Sequence, residues 1–158
     1  MPETAVITDT SCLIALSKTG MLGVLRQMYS AVFVTHEILE EFGEPLPEWI
    51  HVRSAFDSNY SKLLETTLDA GEASAIALAF ELENAILILD DLKARKEAKR
   101  LGFRVTGTLG VLFAAKQRGV IPALKPHLET LQASGFRIAP SIIAELIALS
   151  GESSNRAM

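Results

Sequence analysis

The chain has 158 residues, of which 49% are apolar, and its formal net charge at pH 7 is −4. This length and composition predict one folded domain and exclude a disordered chain, while the acidic balance argues against binding nucleic acid through a general basic field. The single cysteine, Cys12, excludes an intrachain disulfide and favours a reducing compartment such as the cytoplasm.

Short apolar segments and helical segments alternate along the chain, which predicts an α/β fold with a parallel sheet of four or five strands. The segments 4–8 and 85–89 are aliphatic and β-branched, as expected for strands buried on both faces. The strands are predicted at 4–8, 31–34, 49–53 (an edge strand), 85–89 and 103–107. In the first half of the chain, helices are predicted to open at 9–11, to cover 21–28, to carry 38–42, to cover 58–68, and to run from 68–72 to 80. In the second half, helices are predicted at 93–101, 109–118, 125–134 and 141–150.

The predicted domain covers residues 1–150, and residues 151–158 are polar and predicted to form a flexible tail. No apolar run approaches the roughly 20 residues that a membrane span requires. The first residues also lack the basic and then apolar pattern of a signal peptide. We therefore expect a cytoplasmic protein with no membrane contact.

Carboxylates stand at the ends of two predicted strands. Asp9 ends the first strand, and Asp90 and Asp91 end the strand at 85–89. The carboxyl ends of parallel strands share one edge of the sheet, where ligands bind in open α/β folds, so these acids are expected to lie close together. Since clustered carboxylates repel each other, a divalent cation is expected, and ligands that are all oxygen favour Mg²⁺ or Mn²⁺ over zinc.

Two acids on helices are predicted to join this cluster. Glu41 follows Ile38 by three residues and lies near the apolar face of its helix, whereas Glu40 falls on the opposite side. Glu72 lies in the first turn of the helix that opens at 68–72.

Each acid also has a structural alternative. Asp9 can cap the helix that follows it, which is worth about 1 kcal/mol, although the hydroxyl residues after it are available for the same role. The helix dipole alone favours an acid at Glu72, with Asp69 as the cap. Either Asp90 or Asp91 can cap the next helix while the other binds a metal ion.

A basic cluster follows the acidic pair. By default these side chains form a solvated helix face, but Lys93 and Lys96 are nearest the edge of the sheet, and we hypothesise that they contact the phosphates of a nucleic acid. The members of the cluster are Lys93, Arg95, Lys96, Lys99 and Arg100.

Four segments, in order, resemble the motifs of PIN-domain nucleases, and in particular the small prokaryotic group related to VapC toxins. The resemblance covers roughly residues 4–120. The similar segments are Ile7-Thr8-Asp9-Thr10-Ser11, the run from Val34 to Phe42, the run from Gly71 to Ala79, and Leu87-Ile88-Leu89-Asp90-Asp91. Many relatives have Asp where this chain has Glu72, and the fourth motif matches the family acid to Asp91.

The resemblance implies a three-layer α/β/α domain with a central parallel sheet, to which this chain adds C-terminal helices. It implies hydrolysis of phosphodiester bonds in RNA with one or two Mg²⁺ or Mn²⁺ ions, and further suggests a toxin, an antitoxin partner and a homodimer. The implied metal-binding and catalytic residues are Asp9, Glu41, Glu72 and Asp91, with Asp90 as a further metal ligand and Thr10 and Ser11 as contacts to a ligand or phosphate.

Two other functions remain open at this point. One is a PIN-like module that binds nucleic acid or protein without cleavage. The other is a phosphoryl-accepting domain of the response-regulator type, in which Asp90 and Asp91 would be the paired acids. That second alternative needs an acceptor Asp at a later strand end, and no Asp follows Asp91 in the chain.

Overall fold

The computed structural model describes residues 4–152. Five strands form one parallel sheet in the order β3-β2-β1-β4-β5. The strands are β1 (Ala5–Thr8), β2 (Ala31–Val34), β3 (Ile50–Val52), β4 (Ile86–Ile88) and β5 (Arg104–Thr106). Helices cover both faces of this sheet, so the predicted three-layer α/β/α fold with a central parallel sheet is confirmed.

The helices begin and end close to the predicted positions. They are α1 (Thr10–Lys18), α2 (Gly23–Met28), α3 (His36–Phe42), α4 (Asn59–Leu64), α5 (Ala70–Ala79), α6 (Leu92–Arg100), α7 (Thr108–Gln117), α8 (Lys125–Ala133) and α9 (Pro140–Leu149). The helix predicted at 58–68 is shorter, because the hydroxyls of Thr66 and Thr67 bond the carbonyls of Leu63 and Leu64 at its end.

The sheet places the ends of β1 and β4 side by side. From β1 the chain builds outward through β2 to the edge strand β3, and it then returns to the other side of β1 to form β4 and β5. Ile7 and Leu87 are paired across the β1–β4 boundary and are fully buried. This boundary is the point where the strand order reverses, and in open α/β sheets the crevice at such a point is the usual ligand site.

Side-chain caps start the helices at this edge of the sheet. The Thr35 hydroxyl accepts the Ile38 N–H at 3.2 Å and so begins α3, which ends at Gly43 with a left-handed φ of 75°. Asp9, Asp69 and Asp91 are the corresponding caps of α1, α5 and α6. Three of the six cavity acids described below are therefore helix N-caps as well.

The C-terminal helices are tied to the domain by the residues that follow α9. The Glu152 carboxylate accepts the backbone N–H groups of Leu124 at 2.6 Å and Lys125 at 3.1 Å, at the start of α8. The first two residues of the predicted tail, Gly151 and Glu152, are thus held against the fold, and its residues 153–158 lie outside the described part. In residues 4–152 there is no helix with both the length and the apolar character that crossing a membrane requires.

Candidate functional site at the carboxyl edge of the sheet

A cavity of about 350 Å³ opens at the carboxyl ends of β1 and β4. All five acids that the sequence pointed to line this cavity, which we call the acidic cavity, and a sixth acid joins them. The polar residues that line it are Asp9, Thr10, Ser11, Glu41, Asp69, Glu72, Asp90 and Asp91. Among the described residues that line it, none carries a positive charge.

Asp9 uses both carboxylate oxygens to join β1 to its neighbours. Its Oδ1 accepts the Cys12 N–H at 2.8 Å, which caps α1, and its Oδ2 accepts the Asp90 N–H at 2.8 Å. Thr10 and Ser11 were expected to be available to cap α1 in place of Asp9, and this is wrong because both hydroxyls donate to other acids. A carboxylate oxygen has two lone pairs, so Asp9 can still accept a further ligand.

The charge on Asp9 is held in an unfavourable environment. The residue is 6% exposed, and burial together with the nearby Asp90 charge raises its pKa to about 7, with a smaller increase from Glu72. The N–H bonds from Cys12 and Asp90 act in the opposite direction but are outweighed. A cation in this cavity would favour the ionised form.

Asp90 and Asp91 have different partners. Asp90 accepts the Thr108 N–H at 2.8 Å, the Thr108 hydroxyl at 2.7 Å and the Ser11 hydroxyl at 3.0 Å. Asp91 accepts the Ala94 N–H at 3.0 Å and is the cap of α6, although its exposed side chain also lines the cavity. Asp90 therefore links β4 to α1 and α7. Both acids line the cavity, and the Asp91 carboxylate accepts fewer hydrogen bonds than that of Asp90.

Thr108 is a site residue that the sequence analysis missed. It is fully buried at the start of α7 and makes two of the three hydrogen bonds to Asp90. Its position directly after β5, at the same sheet edge as Asp9 and Asp90, is the signal that could have found it.

Glu41 is held by Thr10, whose hydroxyl donates to its Oε1 at 2.7 Å. Glu41 lies in the acidic cavity and Glu40 does not, as the helical phase predicted, but Glu41 is exposed rather than buried. Gly71 leaves space for this carboxylate, because a Cβ at that position would lie 3.0 Å from Glu41 Oε1.

Glu72 and Asp69 form a reciprocal cap at the start of α5. The Glu72 N–H donates to Asp69 Oδ1 at 2.8 Å, and the Asp69 N–H donates to Glu72 Oε1 at 3.3 Å. Partial burial and the Asp69 charge raise the pKa of Glu72, and Asp91 and Glu41 raise it further. Glu72 is thus both a capping residue and a member of a mutually repelling cluster.

On helix α6, the basic residues that were expected to bind substrate, Lys93 and Lys96, are not the ones that line a cavity at this edge of the sheet. Lys93 and Lys96 are exposed and line neither the acidic cavity nor the cavity beside it, so their role in substrate binding stays a prediction. Arg95 is the member of the cluster that lines the neighbouring cavity.

The donor set of the acidic cavity suits a hard divalent cation. Every charged side chain that lines it is a carboxylate, and a cation would offset both the burial and the neighbouring negative charges that raise the pKa values of Asp9 and Glu72. Within residues 4–152, however, no three His, Cys, Asp or Glu side chains converge on one metal position. The carboxylates instead accept hydrogen bonds from the chain's own N–H and hydroxyl groups.

A parallel sheet between two layers of helices, with carboxylates gathered where its strand order reverses, defines a class of α/β domain with a ligand site at that point. A family model described as PIN domain matches residues 5–152, and the chain therefore belongs to the PIN-domain family. The match extends the resemblance seen over residues 4–120 through the C-terminal helices. PIN domains are generally nucleases and generally use divalent metals. No curated protein matches the chain.

Proposed function

We propose that this protein is a metal-dependent ribonuclease that hydrolyses phosphodiester bonds in RNA. The observation that carries the proposal is the acidic cavity, in which six carboxylates gather at the β1–β4 boundary without a cationic side chain among the described lining residues. Burial raises the pKa of Asp9 and of Glu72, and neighbouring carboxylates of the cavity raise both further, a pattern that is common at functional sites.

In this proposal Asp9, Glu41, Glu72 and Asp91 hold one or two Mg²⁺ or Mn²⁺ ions. A bound cation lowers the pKa of a coordinated water and stabilises negative charge on the phosphate. Asp9 is fixed at the cavity floor by two backbone N–H groups, and Thr10 orients the Glu41 carboxylate. Asp90 is a further ligand or a positioning residue, since it accepts the Ser11 hydroxyl in the lining of the acidic cavity.

The alternative is a PIN-like module that binds nucleic acid or protein without cleavage. It is favoured by the absence, within the described residues, of three converged ligands and by the capping bonds that occupy Asp69, Glu72 and Asp91. The two functions separate in one assay, because a non-cleaving module retains RNA or metal binding while showing no turnover.

The proposal includes a cellular role as the toxin of a toxin–antitoxin pair, acting in the cytoplasm and neutralised by a small antitoxin protein. Its support is the resemblance of four motifs to the VapC-related group. The test is growth: induced expression should arrest cells, and the Asp9→Asn variant should not. Unchanged growth with active enzyme in the lysate would contradict the role.

We also propose a homodimer. An aromatic cluster on the surface supports it, since the Tyr60 and Phe80 rings lie 4.3 Å apart and the Phe80 and Phe103 rings 4.8 Å apart. Tyr60 is 43% exposed and Phe80 44% exposed, and exposed apolar patches are typical of interaction sites. Sedimentation equilibrium should give twice the chain mass, and a monomer at every concentration would contradict this.

The test of the proposed activity is cleavage of structured and unstructured RNA by the purified protein with Mn²⁺, with Mg²⁺ and with EDTA. Wild type should cleave only with a divalent cation, and Asp9→Asn should be inactive while melting cooperatively. Cleavage that persists in EDTA, or equal cleavage by the variant, would trace the activity to a contaminant or to another site.

A further inference from the structure

A second cavity lies on the far side of Ser11 and Asp90 from the acidic cavity. Its volume is about 660 Å³, and Ser11 and Asp90 form the wall that the two cavities share. The second cavity lies between the start of α7 and the loop 134–139 that joins α8 to α9. We call it the arginine groove after Arg95 and Arg137, which line it together with Phe136.

The charge along the surface reverses at this shared wall. The acidic cavity contains six carboxylates, whereas the arginine groove contains two guanidinium groups and shares one carboxylate, that of Asp90. Neither Arg95 nor Arg137 forms an ion pair with a residue in the range 4–152. Guanidinium groups that are outside any ion pair of the described residues are available to an external anion, and their planar forks match phosphate.

Gly107 shows that Arg95 is placed closely against the shared wall. A Cβ at Gly107 would lie 2.9 Å from Arg95 Nη1 and 2.9 Å from Asp90 Oδ1. The φ of Gly107 is −124°, which any residue adopts, so the close approach of these two side chains is what favours glycine here. The guanidinium of Arg95 therefore lies beside the acid that separates the two cavities.

The loop between α8 and α9 supplies the opposite side of the groove. Gly135 has a left-handed φ of 101° and precedes Phe136 and Arg137. Phe136 is partly exposed and also lines a third cavity, of about 380 Å³, together with Ser11 and Lys18. An aromatic ring next to cationic side chains is the usual platform for an unstacked base of a single strand.

We propose that the arginine groove binds the stretch of single-stranded RNA next to the scissile phosphate. Arg95 and Arg137 hold its phosphates, and Phe136 packs against a base. This inference rests on the proposed ribonuclease function and extends it to the substrate's path. It assigns the α8–α9 loop to substrate binding, and it selects Arg95 over its exposed lysine neighbours on α6.

The test compares two double variants that each remove two positive charges. One is Arg95→Ala with Arg137→Ala, and the control is Lys62→Ala with Lys99→Ala, whose lysines are exposed on α4 and α6 and line neither cavity. The probe is an end-labelled unstructured RNA, and its binding is followed by fluorescence anisotropy over a salt titration with Ca²⁺ as the only divalent cation.

The arginine variant should bind RNA at least about tenfold more weakly than the control, and its salt dependence should flatten by about 0.7 in log–log slope per lost phosphate contact. Phe136→Leu should weaken binding by about tenfold without changing that slope. In Mn²⁺ cleavage assays the arginine variant should raise KM and leave kcat nearly unchanged. The rise in melting temperature with Mn²⁺ should match wild type, because no acid is altered.

Equal RNA affinity and equal salt slope in the arginine variant and the lysine control would overturn the inference. The failure of the proposed function gives a different result. A wild type that binds RNA but cleaves none overturns the nuclease, while the binding comparison still decides the groove. A wild type that binds no RNA overturns both.

Discussion

Asp9 combines a structural role with a charge that the fold does not favour. Its two oxygens accept backbone N–H groups from α1 and from Asp90, yet burial and the Asp90 charge raise its pKa to about 7. An acid whose pKa is higher in the folded chain stabilises the fold most below its unfolded value, and this stability is lost as the pH rises through the folded value. In the metal-free protein the contribution of Asp9 to stability should therefore fall between about pH 4 and pH 7.

We predict that Asp9→Asn flattens this part of the pH profile. Asparagine has only one acceptor oxygen for the two N–H groups, so the variant will not exceed wild-type stability at acidic pH. Thermal melts in EDTA at several pH values measure the effect, and the informative quantity is the difference in melting temperature between the two proteins. That difference should shift in favour of the variant as the pH rises. Parallel profiles would show that Asp9 does not titrate as described.

Glu40 and Glu41 provide a matched pair on one helix. Both are exposed and acidic, but only Glu41 lines the acidic cavity and accepts the Thr10 hydroxyl. Glu41→Gln should lower metal-dependent cleavage at least about 10–100-fold, because even the partners of metal ligands have effects of that size. Glu40→Gln should remain close to wild type. Equal activities in the two variants would mean that α3 does not present Glu41, rather than Glu40, to the acidic cavity.

At the scale of the elements, the contact between α3 and α5 depends on a glycine. Replacing Gly71 by alanine should favour α5 by up to about 1 kcal/mol, since glycine is a poor helix former. The new Cβ would lie 3.0 Å from Glu41 Oε1 and should displace that carboxylate. We therefore expect Gly71→Ala to melt no lower than wild type without metal and to show a smaller rise with Mn²⁺.

The control for this variant is Gly23→Ala, at the start of α2, where an added Cβ would meet no atom within 4 Å. It makes the same chemical change without touching the acidic cavity. An equal Mn²⁺ response in the two alanine variants would remove Glu41 from the metal site.

The start of α8 depends on Glu152, which lies 28 residues after Leu124 and 27 residues after Lys125. Burial alone would raise the pKa of Glu152, but the N–H groups of Leu124 and Lys125, the Ser150 hydroxyl and Lys116 lower it overall. Glu152→Gln should therefore destabilise the protein by about 1–2 kcal/mol near neutral pH. Because a lowered pKa gives stability that is lost as the pH falls through the folded value, the difference should vanish in acid.

Urea denaturation near pH 7 and near pH 3 measures this difference, with Glu145→Gln on α9 as the control. Glu145 is exposed and should behave as wild type at both pH values. A Glu152→Gln variant as stable as wild type at neutral pH would mean that the C-terminal residues do not hold α8 and the loop of the arginine groove in place.

At the scale of the whole molecule, the features that could be predicted from the sequence are those that depend on the local pattern of residues. Apolar β-branched runs located the strands, and small oxygen side chains located the caps, so the parallel sheet and the shared edge of Asp9 and Asp90 followed directly. The helical period separated Glu41 from Glu40, in agreement with the resemblance to PIN domains. These features are repeated every few residues, and their physical causes act within one or two turns of chain.

Features that depend on how distant segments fold together could not be predicted in this way. Thr108 bonds Asp90 across 18 residues, and Glu152 caps a helix 28 residues earlier. The face that α6 turns toward the fold could have been predicted from the sequence, because Ala94 and Ala98 form its buried stripe and Arg95 lies next to that stripe. Without the position of the α8–α9 loop, however, nothing indicated that a cavity lay on that side.

The central claim is that the acidic cavity binds a divalent cation, and the melting temperature during a Mn²⁺ titration tests it most directly. A ligand that binds only the folded state at a hundredfold excess over its Kd adds about 2.7 kcal/mol, which is roughly 5–10 °C for a chain of this size. We predict a saturable rise of this order for wild type and none for Asp9→Asn. Wild-type curves that superimpose up to millimolar Mn²⁺, or an equal rise in the variant, would contradict a cation site in the acidic cavity.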